Sequence, residues 1–147
     1  MESVLIVLDD DSVNNQLLQT AKRHVTGTDL RVVVCRIVDQ SEYQDSVKKK
    51  AKSHEKFDSI EATETQATEE AEEIAAEFFD DSIPYEPVGV VGSVPEDVLS
   101  IAAEMESIHI FIAGAKRSPA GKVLFGDNAQ KLILDFDGPV SIITETR

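Results

Sequence analysis

The feature that most limits the fold is an alternation of short, unbroken apolar runs with stretches of helical period. The runs are SVLIVL (Ser3 to Leu8), LRVVVCRIV (Leu30 to Val38), IPYEPVGVV (Ile83 to Val91), SIHIFIAG (Ser107 to Gly114) and PVSIIT (Pro139 to Thr144). Apolar residues at consecutive positions, rather than at every second one, fit strands covered on both faces. Between the first two runs, Val13, Leu17, Leu18, Ala21 and Val25 share one helical face, with Ser12 or Asp11 as the N-cap. A second helix spans about 62–79: Ala67, Ala71, Ile74, Ala75 and Phe78 make its apolar stripe and glutamates cover the rest. Asp80 and Asp81 follow at the end where the helix dipole disfavours acid. Val94, Val98, Ile101 and Ala102 mark a third helix, opened by Pro95 and by a capping box of Ser93 with Glu96. A last helix runs from about Asn128 to Phe136. Residues 41–60 read as a long, partly mobile connection, because KKKAK and SHEKFDS interrupt the helical spacing of Tyr43, Val47 and Ala51.

Strands separated by helices predict an α/β fold: an open, mainly parallel five-stranded sheet with helices on both faces. The 147 residues suit one domain, 1–147. Pro84 and Pro87 make the third strand an edge, since proline has no amide to donate. Sheets of this kind bind ligands outside the carboxyl ends of the strands, where the strand order reverses. Two loops meet there if the first and fourth strands are neighbours: LDDDS after the first and GAKRSPAGKVLFGDN after the fourth.

Composition narrows the partners. A net charge of −14, dispersed along the chain, opposes binding to nucleic acid or an anionic membrane. It fits either the salt-rich cytoplasm of a halophile or an ordinary acidic protein. No window approaches a membrane span. MESVLIVLDDD lacks the basic start and cleavage pattern of a leader and reads as a first strand. The single cysteine, Cys35, reads as a buried small hydrophobe, and a cytoplasmic setting follows. The three histidines, His24, His54 and His109, are spread over separate elements, and His109, with no partner nearby in the sequence, reads as structural.

The acidic loop has two readings. Asp9 and Asp10 are candidate ligands for magnesium accompanying a nucleotide; alternatively, Asp9, Asp10 and Asp11 cap a helix and favour its dipole. A phosphorelay receiver would need an acceptor aspartate on a buried strand and a lysine after the last one. HEKFDSI around Asp58 is no such strand, and nothing basic precedes Pro139. The long loop is not a Walker A motif either. Lys116 stands where its first glycine belongs, and Val123 replaces the hydroxyl that would hold magnesium.

The order of elements, the aspartate ending the first strand, Gly114 and Gly126 in the loop after the fourth, and the closing GPVSII together resemble the universal stress protein family over essentially the whole chain. The resemblance implies a Rossmann-like, adenine nucleotide alpha hydrolase-like sheet of order 3-2-1-4-5. It implies ATP or a related adenine nucleotide as ligand. It also implies a homodimer paired through the C-terminal strand, Pro139 to Thr144. By position, Val7, Leu8, Asp9 and Val38 would border the base and ribose. Gly114, Lys116, Arg117, Gly126, Asp127 and Asn128 would surround the ribose and phosphates.

The ATP-binding members carry G-x2-G-x9-G-[S/T], and this chain departs from it. Arg117 replaces the second glycine, the spacer to Gly126 (Ser118 to Phe125) is one residue shorter, and Asp127 replaces the hydroxyl residue. A carboxylate about 4 Å from a phosphate oxygen costs ~4 kcal/mol at an effective dielectric near 20. Against that, Lys116, Arg117 and Lys122 bring positive charge, arginine forks onto phosphate, and Asp127 with Gln130 has capping-box spacing. The sequence therefore supports a regulatory protein that binds an adenine nucleotide or another anion weakly or in altered form. Its alternatives are a ligand-free dimer acting on an unidentified protein partner through its dimer surface or the KKKAK segment, and a slow magnesium-dependent ATP hydrolase.

Overall fold

A computed structural model describes residues 1–8, 14–56, 58–117 and 123–144, with the backbone alone at 115–117, 123–125 and 144. In chain order the elements are β1 (Ser3–Leu8), α1 (Asn14–Val25), β2 (Arg31–Asp39), α2 (Gln40–Lys52), α3 (Ile60–Phe78), β3 (Tyr85–Gly92), α4 (Glu96–Glu104), β4 (Ser107–Arg117), β5 (Val123–Phe125), α5 (Asp127–Asp135) and β6 (Val140–Thr144). The parallel part of the sheet runs β3-β2-β1-β4-β6, with β5 antiparallel against the far end of β4. Since β6 is the fifth run read from the sequence, this is the expected order 3-2-1-4-5.

The unbroken apolar runs divide by alternation between two cores. Val4, Ile6, Leu8, Val32, Val34 and Phe111 pack with Leu17, Leu18, Ala21 and Val25 of α1 and with Ala71 and Ala75 of α3. Leu5, Val33, Cys35, Ile110 and Ile112 face the other way, onto Val98, Ile101 and Ala102 of α4 and Ala129 and Leu132 of α5. Successive strand residues point to opposite faces, so both layers need apolar partners and the runs admit almost no polar residue. The alanine stripe of α3 lets that helix lie close on the sheet. A Cβ on Gly89 would stand 2.2 Å from the Thr68 amide nitrogen.

β3 is an edge strand, as its prolines predict. Its backbone is guarded: Pro87 has no amide, and the Val91 amide donates to the Glu64 carboxylate at 2.8 Å. The amino ends of the strands are held together by side chains. Ser3 Oγ donates to the Met105 carbonyl at 2.8 Å, and Arg31 pairs with Glu86 at 2.8 Å.

Three local expectations are corrected, and His109 is structural as expected. Residues 40–52 are a helix, α2, where the sequence suggested a connection. It buries no residue, so it lacks the apolar stripe that reveals a helix; the Asp39 carboxylate caps it instead. The Ser93–Glu96 capping box does not open α4: Asp97 takes the Ser93 amide at 2.7 Å, and Pro95 is the N-cap. The N-cap of α5 is Gly126, not Asp127, which lies in the first turn. His109 has partners from distant sequence. It stacks on Phe111 at 4.3 Å, meets the His24 ring edge-on at 4.7 Å, and its Nε2 lies 2.8 Å from Ser141 Oγ.

Candidate functional site

The carboxyl ends of the strands differ in height. β1 ends at Leu8, level with Arg36 of β2. β2 continues through Ile37 and Val38 to Asp39, and β4 continues from Ile112, the partner of Val7, to Arg117. Among the described residues, a notch therefore lies over the end of β1, walled by β2 on one side and β4 on the other. Leu8 is buried at its floor, while Val7 and Val38 are partly buried at its base and wall. Asp9 and Asp10 follow Leu8 directly but lie outside the described residues, as do Asp11, Ser12, Val13 and Lys122.

On the β4 wall the chain turns into a helix. The Gly126 amide donates to the Gly114 carbonyl at 2.9 Å, which ties the start of α5 to β4 at the rim. Gly114 admits this approach because it has no Cβ: one placed there would stand 3.0 Å from the Ala129 Cβ. Gly126, as N-cap, has no side chain with which to occupy the first amides of α5. Those amides and the positive end of the helix dipole suit an anion. Asp127 and Asn128, both exposed, share this turn. Asp127 has charge of the sign that stabilises a helix start and that repels a phosphate.

The described ends of the expected phosphate loop are strands. Ala115, Lys116 and Arg117 belong to β4 and pair antiparallel with Phe125, Leu124 and Val123 of β5, while residues 118–122 lie outside the described residues. At about 3.3 Å per residue, Arg117 stands roughly 13 Å along the strand beyond the level of Leu8. β1 and β4 are thus neighbours, with the Gly126, Asp127 and Asn128 start of α5 tied to Gly114 and with Arg117 further out along β4.

Asp39 is a residue of this rim that the sequence reading passed over. Its carboxylate accepts from the Ser41 hydroxyl and from the amides of Ser41 and Glu42, and these bonds hold its carboxyl below the ordinary range. The Asp39–Glu42 spacing of a capping box was the available signal. No serine, cysteine or histidine of a nucleophilic constellation is brought to the notch among the described residues. Cys35 is buried as expected, and burial pushes its thiol up to about 12. Among the described residues, no group of three or more acidic, histidine or cysteine side chains could hold a metal ion, and no helix is long and apolar enough to cross a membrane.

The sequence model of the universal stress protein family matches residues 1–144. The chain belongs to the universal stress protein family. Solved structures agree on the fold of this family member. The hypothetical protein MJ0577 superposes with a TM-score of 0.74 at 18% identity, over 99% of this chain and 97% of its own. The universal stress protein of Archaeoglobus fulgidus gives 0.67 at 22% identity, over 97% and 98%. A universal stress protein solved in complex with cAMP gives 0.59 at 14% identity, over 99% and 98%. A universal stress protein from Archaeoglobus fulgidus in complex with dAMP matches at 0.61 and 17% identity over 97% and 98%. No curated protein matches the chain.

Proposed function

We propose that this universal stress protein binds an adenine nucleotide in the notch above β1 and acts as a regulatory binding protein. One observation carries the reading: the uncapped start of α5, held to Gly114 by the Gly126 amide, stands at the rim beside the end of β1. Relatives of the same fold have been solved with dAMP and with cAMP, which supports an adenine nucleotide over another anion. In this reading Val7, Leu8, Asp9 and Val38 border the base and ribose. Gly114, Gly126, Asp127 and Asn128 surround the first phosphate, and Lys116 and Arg117 supply positive charge from the end of β4. Where magnesium accompanies the phosphates, the carboxylates of Asp9 and Asp10 are its candidate ligands. Thermal unfolding with and without nucleotide, at low and high potassium chloride, tests the reading. Ligand at about 100 times its Kd adds about 2.7 kcal/mol of stability. No shift at either salt with AMP, ADP, ATP or cAMP overturns it.

The protein pairs as a homodimer through β6. Two observations favour this edge. β3 is guarded by Pro87 and by Glu64 on the Val91 amide, whereas β6 pairs only β4 among the described strands. Leu134 is 82% exposed on α5, the helix that leads into β6, and Ile133 is 42% exposed. Light scattering after gel filtration reads the mass. A monomer at every concentration tested overturns the dimer.

A further inference from the structure

We infer that the outer face of α2 is a docking surface for an acidic segment of a partner protein. None of the residues of this face belongs to the nucleotide notch.

Lys48, Lys49, Lys50, Lys52 and Lys56 stand close together in a chain whose net charge is −14. Tyr43, Val47 and Lys50 form the half-buried side of α2, and the Tyr43 hydroxyl donates to the Asp58 carbonyl at 2.7 Å. Lys48, Lys49, Lys52 and Lys56 are exposed. In a helix, positions 48, 49 and 52 fall within about 100° of arc, directly opposite that half-buried side.

Lysines at a helix end serve two ordinary purposes, and neither accounts for this group. The first is to bond the last carbonyls and offset the dipole. In α2 those carbonyls already have donors. The Ser53 amide donates to Lys49 and the His54 amide to Ala51, each at 3.3 Å, and the Glu55 amide donates to Lys50 at 2.8 Å. His54, at φ 61°, makes the turn, and the Ser53 hydroxyl adds bonds of 3.2 Å to the Lys49 and Lys50 carbonyls. The dipole amounts to about half a charge, which one lysine offsets. The second purpose is ion pairing. Asp45 lies one turn before Lys49, and Glu55 lies beside Lys56, yet none of the five ammonium groups is ion-paired among the described residues. Lys48 and Lys52, one turn apart, instead repel each other, a cost that an anionic partner removes.

Charge complementarity selects the occupant. From Lys48 to Lys52 the helix rises about 6 Å, which suits the few carboxylates of a short segment. A nucleic-acid duplex or an anionic membrane extends past the patch. It comes within a screening length of about 10 Å of the surrounding acids, Glu42 and Asp45 among them, and is repelled. A second copy brings its own charge of −14 and meets the same repulsion.

The test is fluorescence anisotropy of a labelled oligoglutamate peptide titrated with the full chain. The native chain is expected to bind it at low salt, and Lys48→Glu with Lys49→Glu and Lys52→Glu to bind it at least about tenfold more weakly. Lys22→Glu with Arg23→Glu and Lys131→Glu makes the same change in net charge elsewhere, and is expected to stay within about twofold of the native affinity. If the glutamates unravel the end of α2, as circular dichroism would read, Lys48→Gln with Lys49→Gln and Lys52→Gln takes their place, with a loss of about threefold expected. No binding by the native chain, or an equal loss in the two glutamate variants, overturns the inference. Tighter binding of a labelled oligouridylate or of phosphatidylserine vesicles also overturns it, by putting nucleic acid or membrane on the face. So does self-association beyond a dimer that the Lys48→Glu variant abolishes, because the occupant is then a second copy.

Discussion

The amide of Gly126 donates to the carbonyl of Gly114 at 2.9 Å, and this bond seats the first turn of α5 against the end of β4. The contact depends on Gly114 lacking a side chain, whereas a Cβ on Gly126 would make an ordinary 3.6 Å contact with the Gly114 carbonyl oxygen. A Cβ on Gly114 would press on Ala129 at 3.0 Å. Gly114→Val is therefore expected to lower stability by about 1–3 kcal/mol, the usual cost of overpacking. It should also abolish nucleotide-dependent stabilisation, since the helix start moves away from the notch. Urea titration with and without AMP measures both effects. A variant that keeps its full AMP shift would show that the seat of α5 does not form the site.

The close approach of α3 to β3 gives a sharper test of the fold. A Cβ on Gly89 would lie 2.2 Å from the Thr68 nitrogen and 2.6 Å from the Ala67 carbonyl carbon, both backbone atoms that no rotamer change can move. Gly89→Ala is expected to cost about 3 kcal/mol, the upper end for overpacking. Chemical denaturation reads the loss directly. A change below about 0.5 kcal/mol, as at an ordinary surface position, would mean that α3 is not seated on Gly89.

The acidic face of α3 makes stability depend on salt. Glu69, Glu72, Glu73 and Glu77 are exposed, and no basic residue lies in the last turn, where the helix dipole favours one. Raising ionic strength from 0.1 M to 1 M shortens the screening length from about 10 Å to about 3 Å. The melting temperature is thus expected to rise with potassium chloride. Glu77→Lys should add about 0.5 kcal/mol at low salt and flatten that rise, because it relieves repulsion and complements the dipole. A melting series for both proteins checks it. Equal salt slopes would locate the effect elsewhere on the surface.

Much of this architecture was legible because burial on both faces leaves a plain trace. Leu5 and Ile6, adjacent in sequence, serve opposite cores, and only a continuous apolar run satisfies that arrangement. The family resemblance singled out Gly114 and Gly126, which are joined in the fold by the Gly126 amide on the Gly114 carbonyl. Three features left weaker traces. α2 buries nothing, so its sequence has no stripe, only the Asp39 cap. β5 is a strand of three residues, Val123–Phe125, too short for a period to show. The pairing of His24 with His109 joins residues far apart in the chain, and no local pattern records such a contact.

That histidine pair makes stability depend on pH. Burial first, and then the nearby His24, hold the His109 imidazole below its ordinary value of 6.5. In the unfolded chain His109 takes up a proton near that value, whereas in the fold it does so only at lower pH. Between the two values the unfolded state binds more protons, so stability rises with pH there. The contribution is fully present above pH 6.5 and is lost as pH falls from 6.5 through the folded value. His109→Gln removes the titrating group while keeping a polar partner for Ser141. Its unfolding free energy is expected to fall less between pH 7 and pH 5.5 than that of the native chain, although it loses the 4.3 Å stack on Phe111 and starts lower. Urea titrations across that range measure both slopes. A native chain with a flat profile between pH 7 and 5.5, or a variant with the same slope, would exclude His109 as the source.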